Sequence, residues 1–306
     1  VIVGFTLTGS SSAAALLVRT AAGDMYPPLR RARGISYVLF GSVFGAILGP
    51  TVFSPLFSGK ELTADDLTVP WLAAAGISVF TATIVSLVRP DTKKIAELIA
   101  PADEPAVPVV KASLREIVRR PGVIPAMLTS FASFGVMVSV MNLTGYVVVE
   151  KHHHAQHNVF PIVGAHVLGM YALVLFVGAM VDRVGRTSAL AAGLVVMGLS
   201  ALALGWFSSV GATALLLFGL GIGWNISYVA AAAQLADLTL PSERGRLFGF
   251  NDFAAALFGA TLALVGGLTL ETLGVGAMAV GAAILVTAPA PWILRRRKVA
   301  GVPVSG

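Results

Sequence analysis

The chain contains no cysteine. Disulfide frameworks and thiolate metal sites are excluded from the outset. Charge is scarce as well: Asp, Glu, Lys and Arg make up 12% of the residues, about half of what a soluble domain of this length carries. The ten-residue alternation of polar and apolar positions that marks a membrane β-barrel is missing. So are a nucleotide-binding loop, a nucleophile elbow and a metalloprotease pairing, so nothing points to an enzyme or a cofactor. The chain opens on Val1 inside an apolar block, without an initiating Met or a basic n-region, and does not read as a cleaved signal peptide.

What the chain has in quantity is apolar length. Apolar residues make up 56% of it, and the mean hydropathy is +0.86. They fall in blocks near 1–22, 35–57, 69–88, 122–148, 159–181, 187–207, 211–236, 246–270 and 273–294. Each is about twenty residues, enough to cross about 30 Å of hydrocarbon as helix. The expected fold is all-α: a polytopic membrane protein of about nine transmembrane helices.

A formal charge of +6 invites a nucleic-acid partner until the charges are placed on the topology. With loops on alternating sides, only Lys60 and Lys151 of the 21 basic residues fall on one side. Such a bias marks the other side as cytoplasmic, so the basic residues are topogenic and no nucleic acid is implied. The expected location is the inner (plasma) membrane, multi-pass, with the linker and the C-terminus cytoplasmic. Lipid and a small-molecule substrate are the expected partners.

Segment 89–121 differs from its surroundings. It holds the Pro-rich run Pro101-Ala-Asp-Glu-Pro-Ala-Val-Pro108 and closes on Lys111-Ala-Ser-Leu-Arg-Glu-Ile-Val-Arg-Arg120. The first part reads as a semi-stiff linker. The second reads as a basic amphipathic helix at the headgroup boundary. The chain thus divides into 1–88, the linker 89–121, a six-helix bundle over 122–298 and a tail over 299–306.

One motif occurs twice. Asp24, Pro28, Arg31 and Arg33 recur as Asp237, Pro241, Arg244 and Arg246, reading D-x3-P-x2-R-x-R both times. An offset of 213 residues is too long for a solenoid and suits one half of a two-bundle transporter. A third basic loop reads Gly178-Ala-Met-Val-Asp182-Arg183-Val-Gly185-Arg186. This G-x3-D-R-x-G-R pattern, the paired motifs and the linker with six spans after it resemble the major facilitator superfamily. The resemblance covers essentially the whole chain. It implies alternating access and a gating role for the three loops. The third loop would then join helices eight and nine, and the paired motifs would join four to five and ten to eleven. Only one span precedes Asp24, so about three helices are expected ahead of Val1. The expectation from the residues themselves is a tight turn made by two glycines, an Asp that accepts from a helix N-terminus and Arg residues that face helix C-termini. The plain alternative is that these charges only set topology and cap helices.

Polar groups within spans are candidates for function. Asn142, Trp224, Asn225, Tyr228 and Gln234 are the candidate cavity residues, with helix–helix glue as the alternative. Thr144, Ser227 and Asn251 complete the polar set. Asp252 is expected to be hydrated near the cytoplasmic boundary or paired with Arg183, which leaves no acidic residue in mid-span. His166 is the candidate proton carrier, titrating near neutrality; otherwise it is a hydrogen-bonded core residue. The loop with His152, His153, His154 and His157 is a weak metal candidate, more simply a solvated loop.

Gly41, Gly45, Gly49 and Pro50 form a bare stripe ended by a helix breaker. It resembles part of the helix-five motif of drug–proton antiporters. The match is partial, because Val52-Phe53-Ser54 replaces the paired glycines expected after the proline. The leading expectation is proton-coupled export of an amphipathic compound. A non-transporting sensor or scaffold is the rival, and a divalent-metal exporter a minor one.

Overall fold

The computed structural model describes residue 4 and residues 17–57, 68–99 and 112–297, and every regular element among them is helical. A short helix α1 (residues 17–24) leads through a turn to α2 (Arg31–Phe40), α3 (Ser42–Phe57), α4 (Thr68–Ser86) and α5 (Thr92–Ile99). The second half comprises α6 (Leu114–Arg119), α7 (Val123–Tyr146), α8 (Val159–Tyr171), α9 (Val174–Val184), α10 (Arg186–Ala203), α11 (Val210–Asp237), α12 (Pro241–Thr287) and α13 (Pro289–Arg297). Among the described residues, six helical runs are long and apolar enough to cross a membrane, and α8 with α9 makes a seventh if that pair, bent by 40°, is one span.

The longest run, Pro241–Leu294, has 54 residues, about 80 Å of helix and more than twice a bilayer core. It breaks at Gly274, where φ is +83° and ψ 178°, a conformation that only glycine adopts readily. The contacts on either side show the chain reversing there. Before the break the run climbs alongside α7, with Gly259 against Val138 and Ser139 donating to the Leu262 carbonyl at 2.9 Å. After it the run descends alongside α10, with Gly276 near Gly205 and Thr287 near Gly198. The apolar blocks at 246–270 and 273–294 are therefore two antiparallel arms. The block at 1–22 lies largely outside the described residues, as do Lys60, Asp65, Asp66, the Pro101–Pro108 run and the tail 299–306.

Helix α11 is the axis of the second half. Its Gly219-x-Gly221-x-Gly223 stretch lets two backbones come close. A Cβ on Gly221 would lie 2.8 Å from the Met170 amide of α8, and one on Gly223 would lie 2.7 Å from the Met197 amide of α10. Close approach of this kind is how helices gain van der Waals contact in lipid, where apolar area itself gives no drive. The expected seam at Gly41, Gly45 and Gly49 is different. A Cβ on Gly45 or Gly49 would meet nothing within 4 Å, and the buried position on α3 is their neighbour Ala46. Pro50 lies within α3, which continues to Phe57.

Within the linker, residues 92–99 form α5, and α6 packs against the second half. Ser113 and Glu116 form a reciprocal capping box at its start. Ile117 is fully buried in the core that α7, α9, α11 and α12 share. Arg120 then donates to both carboxylate oxygens of Glu243 at 2.5 and 2.7 Å, a bidentate pair that ties the linker to the start of α12.

Candidate functional site

The repeated motif closes on itself with its two copies exchanged. Arg31 of the first copy donates to Asp237 of the second at 2.7 Å. Arg244 of the second copy donates to Asp24 of the first. Position one of each copy thus meets position eight of the other. Both arginines also reach the Ala236 carbonyl in the last turn of α11, at 3.3 and 3.1 Å, where the negative end of the helix favours cations. The remaining cations differ: Arg246 donates to the Ala112 carbonyl at 3.0 Å, while the Nε of Arg33 is buried without a partner. Pro28 and Pro241 open helical turns, where a missing N–H costs nothing.

The third basic loop completes this latch. Asp182 accepts from the backbone amides of Ala32 and Arg33 at 3.3 and 3.2 Å, capping the start of α2 with a negative charge. Arg186 donates to Asp182 at 2.6 Å, to Asp237 at 3.1 Å and to the Pro28 carbonyl at 2.9 Å. Arg183 is exposed and takes no part. The two glycines have separate tasks. Gly185, at φ +91°, makes the turn between α9 and α10. Gly178 sits inside α9 and belongs to packing instead of turning: a Cβ there would lie 2.9 Å from the Ala32 carbonyl. Residues of both halves therefore interlock at the basic end.

Deeper along the helices, by about 12 Å on α12 and about 8 Å on α1, lies a second ionic contact. Arg19, on α1, donates to Asp252, on α12, at 2.5 Å, and its side chain is only 3% exposed. Asp252 therefore pairs with Arg19 and not with Arg183, and it is no hydrated boundary residue. Arg19 sits five residues before Asp24 and had been grouped with the topogenic charges. A cation inside an apolar block was the available signal for it. Its guanidinium lies over the Tyr228 ring at 4.6 Å and the Phe248 ring at 5.4 Å, positions in which an aromatic face attracts a cation. Tyr228 stacks on Trp224 with centroids 4.4 Å apart, and Tyr171 meets Trp224 edge-on at 6.2 Å. Asn225, next to Trp224 in the chain, is completely buried.

The polar atoms of this cluster are poorly matched. Arg19 Nε and Nη1, Trp224 Nε1, the Tyr228 hydroxyl, both polar atoms of the Asn225 side chain, Asn251 Oδ1 and Asp252 Oδ2 are buried and without a hydrogen-bond partner. Asn251 does donate to Ser130 at 3.0 Å and to Asp252 at 3.1 Å. Buried polar atoms are nearly always satisfied in folded proteins, so a concentration of exceptions calls for an explanation.

The other candidates stand apart. Asn142 is exposed and lies nine residues beyond Ser133, the residue whose hydroxyl meets Ser227 at 2.6 Å, which places it about 13 Å nearer the outer end of α7. Gln234 sits beside Gly122 near the basic end. Neither joins the Trp224–Asn225–Tyr228 group. His166 is buried, and its Nδ1 lies 2.9 Å from the Leu217 carbonyl. A carbonyl only accepts, so Nδ1 carries the proton, and Nε2 has no partner. Thr144 bonds its own helix at the Val140 carbonyl. In the histidine loop, His154 contacts the Ser208 carbonyl at 2.6 Å and lies edge-on to His152, ring centroids 6.3 Å apart. Burial holds the His152 imidazole below its ordinary pKa, helped by the neighbouring imidazoles. Among the described residues no group of three or more His, Cys, Asp or Glu side chains is placed to hold a metal.

Two interlocked sets of apolar helices, joined at one end by exchanged ion pairs and holding a charge pair between them, define a multi-pass helical membrane protein built of two similar halves. The chain belongs to the Major Facilitator Superfamily, whose family model matches residues 1–165 and again 149–305. It is similar to the riboflavin transporter RfnT of Brucella anthropi, 31% identical over 76% of this chain and 55% of that protein. It is likewise similar to two Bacillus subtilis proteins described as uncharacterized MFS-type transporters. YddS is 29% identical over 96% of this chain and 69% of its own length; YdeG is 28% identical over 87% and 63%. The chain thus spans little more than half the length of the first relative and about two thirds of the others.

Proposed function

We propose that this protein is a secondary active transporter that moves a small amphipathic solute by alternating access, exporting it in exchange for protons. The observation that carries the reading is the exchanged latch. Asp24 with Arg244 and Arg31 with Asp237 are contacts between halves, made of charges at one end only of the helices. Separation of the halves breaks both pairs together, and their return remakes both, as a two-state gate requires. On this reading the basic end is cytoplasmic, and the described conformation is the one closed on that side. The relatives are longer than this chain.

The stacked Trp224 and Tyr228 with Asn225 and Arg19 line the route, which suits an organic compound with both ring and polar parts. Riboflavin, named for one relative, is the first solute to try. His166 remains the candidate proton carrier: it is buried, titratable near neutrality in its unperturbed form, and has a free Nε2. The histidine loop stays a weak metal candidate.

Flux in proteoliposomes with an imposed pH gradient tests the reading. Accumulation of riboflavin or a related planar compound in vesicles with an acidic lumen, lost with a protonophore, supports it; accumulation driven by an alkaline lumen overturns the exchange. Binding of solute without flux overturns it in favour of a sensor. Gradient-driven movement of Zn²⁺, lost on replacing His152, His153, His154 and His157, overturns it in favour of a metal exporter.

A further inference from the structure

The Arg19–Asp252 contact is an unusual buried ion pair. Taking two charges out of water is offset only when the geometry is good and the leftover lone pairs and protons are satisfied. Here one Nη2–Oδ1 contact of 2.5 Å is made, while Arg19 Nε and Nη1 and Asp252 Oδ2 stay unpartnered. A guanidinium offers a carboxylate two parallel bonds, and Asp252 takes half of such an arrangement. Neighbouring orphans extend the pattern. The Trp224 indole and the Tyr228 hydroxyl are donors without acceptors, and the Asn225 amide lacks partners on both sides. Arg19, Trp224, Asn225 and Tyr228 are at most 7% exposed, and Asp252 13%. Arg19 Nε and Nη1, Trp224 Nε1 and Asn225 Nδ2 can only donate, Asp252 Oδ2, Asn225 Oδ1 and Asn251 Oδ1 only accept, and the Tyr228 hydroxyl can do either, so the guanidinium and indole protons are what an added acceptor satisfies. The aromatic column of Tyr171, Trp224 and Tyr228 beside it adds a surface for a flat ring.

We propose that Arg19 is the anchor for a carboxylate-bearing aromatic substrate, and that Asp252 occupies the anchor between turnovers and is displaced when that substrate binds. The inference rests on the transport reading for what happens to the bound anion and adds to it the chemical class of the solute. Displacement frees the whole Arg19 fork, so the incoming carboxylate takes both bonds where Asp252 had one. Trp224 and Tyr228 then donate to further oxygens on the ligand. A neutral isostere of the same shape leaves the guanidinium without its second partner, which is how sites built on buried polar groups reject analogues. Because Arg19 belongs to the first half and Asp252 to the second, the exchange also changes what holds the halves together at this depth.

Equilibrium dialysis of radiolabelled 2-naphthoate and 2-naphthamide against the purified protein in detergent tests this without any need for flux. The acid is expected to bind at least about tenfold more tightly than the amide. Arg19→Gln should abolish that preference. Asp252→Asn should tighten 2-naphthoate about five- to tenfold, because the competing carboxylate is gone, and it keeps the test alive if Arg19→Gln fails to fold. Equal affinity for acid and amide, no binding of either, or weaker acid binding in Asp252→Asn overturns the proposal. A protein that moves solutes yet shows no preference for the acid loses this inference and remains a transporter. One that prefers the acid but carries nothing keeps the site and loses the transport reading.

Discussion

Two ionic contacts join the halves of this molecule, and they are built on opposite plans. At the basic end the charges share partners: Arg186 reaches three acceptors, and Asp237 receives two cations. Asp237 keeps 29% of its side chain exposed, so water can take over any bond that breaks. About 8–12 Å inward, Arg19 and Asp252 meet through one contact with no such reserve. Pairs whose carboxylates stay partly hydrated and whose arginines keep a second acceptor suit a contact that has to open and close, because each loss leaves another partner in place. A buried pair with orphaned atoms suits a place where something else binds. The same residue types therefore serve different ends, and depth and satisfaction separate them.

The sharpest way to break this comparison is to remove one member of each pair. Arg19→Ala leaves Asp252 buried without its cation, and truncations of this kind cost about 3–5 kcal/mol. Asp24→Ala strands Arg244 less severely, because the Ala236 carbonyl still accepts from it, and about 1–2 kcal/mol is expected. Arg19→Ala with Asp252→Ala should recover most of the first loss, a coupling that a double-mutant cycle isolates. Denaturant unfolding in micelles reads these variants, the Asp252→Ala single variant that closes the cycle, and the parent protein. Equal costs at the two sites would show that burial does not distinguish them.

A second experiment probes the exchanged latch alone and uses the absence of cysteine. Ser36 is fully buried on α2 against Gly178 of α9, an interface between the halves, so Ser36→Cys reports their separation. Asp24→Asn and Asp237→Asn should each speed maleimide labelling by about five- to thirtyfold, as 1–2 kcal/mol implies. The charge swap Asp24→Arg with Arg244→Asp should return the rate most of the way. Reciprocity also requires Arg31→Gln and Arg244→Gln to act alike. If one raises labelling and the other leaves it unchanged, the two copies are not equivalent and the symmetric gate is wrong.

How much of this was legible beforehand follows the same division. Repeats and spacing are carried by the chain itself, so the paired motifs, the third loop and the apolar blocks around them could be read directly. Which copy's Asp meets which copy's Arg depends on how the halves face each other, and no spacing within one copy contains that. Arg19 was hidden for a different reason. It lies close to a run of basic residues, and only its depth relative to the helix end distinguishes it from them. Asn142 and Gln234 looked equivalent to Asn225 because all three sit in apolar blocks, yet helix rise places Gln234 near the basic end and Asn142 far along α7. The reversal between the blocks at 246–270 and 273–294 could be read from Glu271 and Thr272, which interrupt the apolar run, but not that it turns on the single residue Gly274.

The smallest effect concerns a charge at the basic end that joins neither half to the other. Glu116 accepts from the Ser113 backbone amide at 2.6 Å, and that hydrogen bond, followed by the one with the Ser113 side chain, holds its carboxyl below the usual range. A carboxylate whose folded pKa is depressed stabilises the fold above its unfolded value, near 4.3, and loses that contribution as pH falls through the lower folded value. Protection of the α6 amides against hydrogen exchange, Ile117 foremost, should therefore fall below about pH 4. In Glu116→Gln the neutral amide still caps the helix, so the pH dependence should disappear while much of the protection stays. Labelling of Ser36→Cys should be the same in both proteins, because this cap lies within one half. A rise in labelling on Glu116→Gln would mean that the linker helix takes part in opening the basic end, and the latch would then extend beyond the three loops that define it.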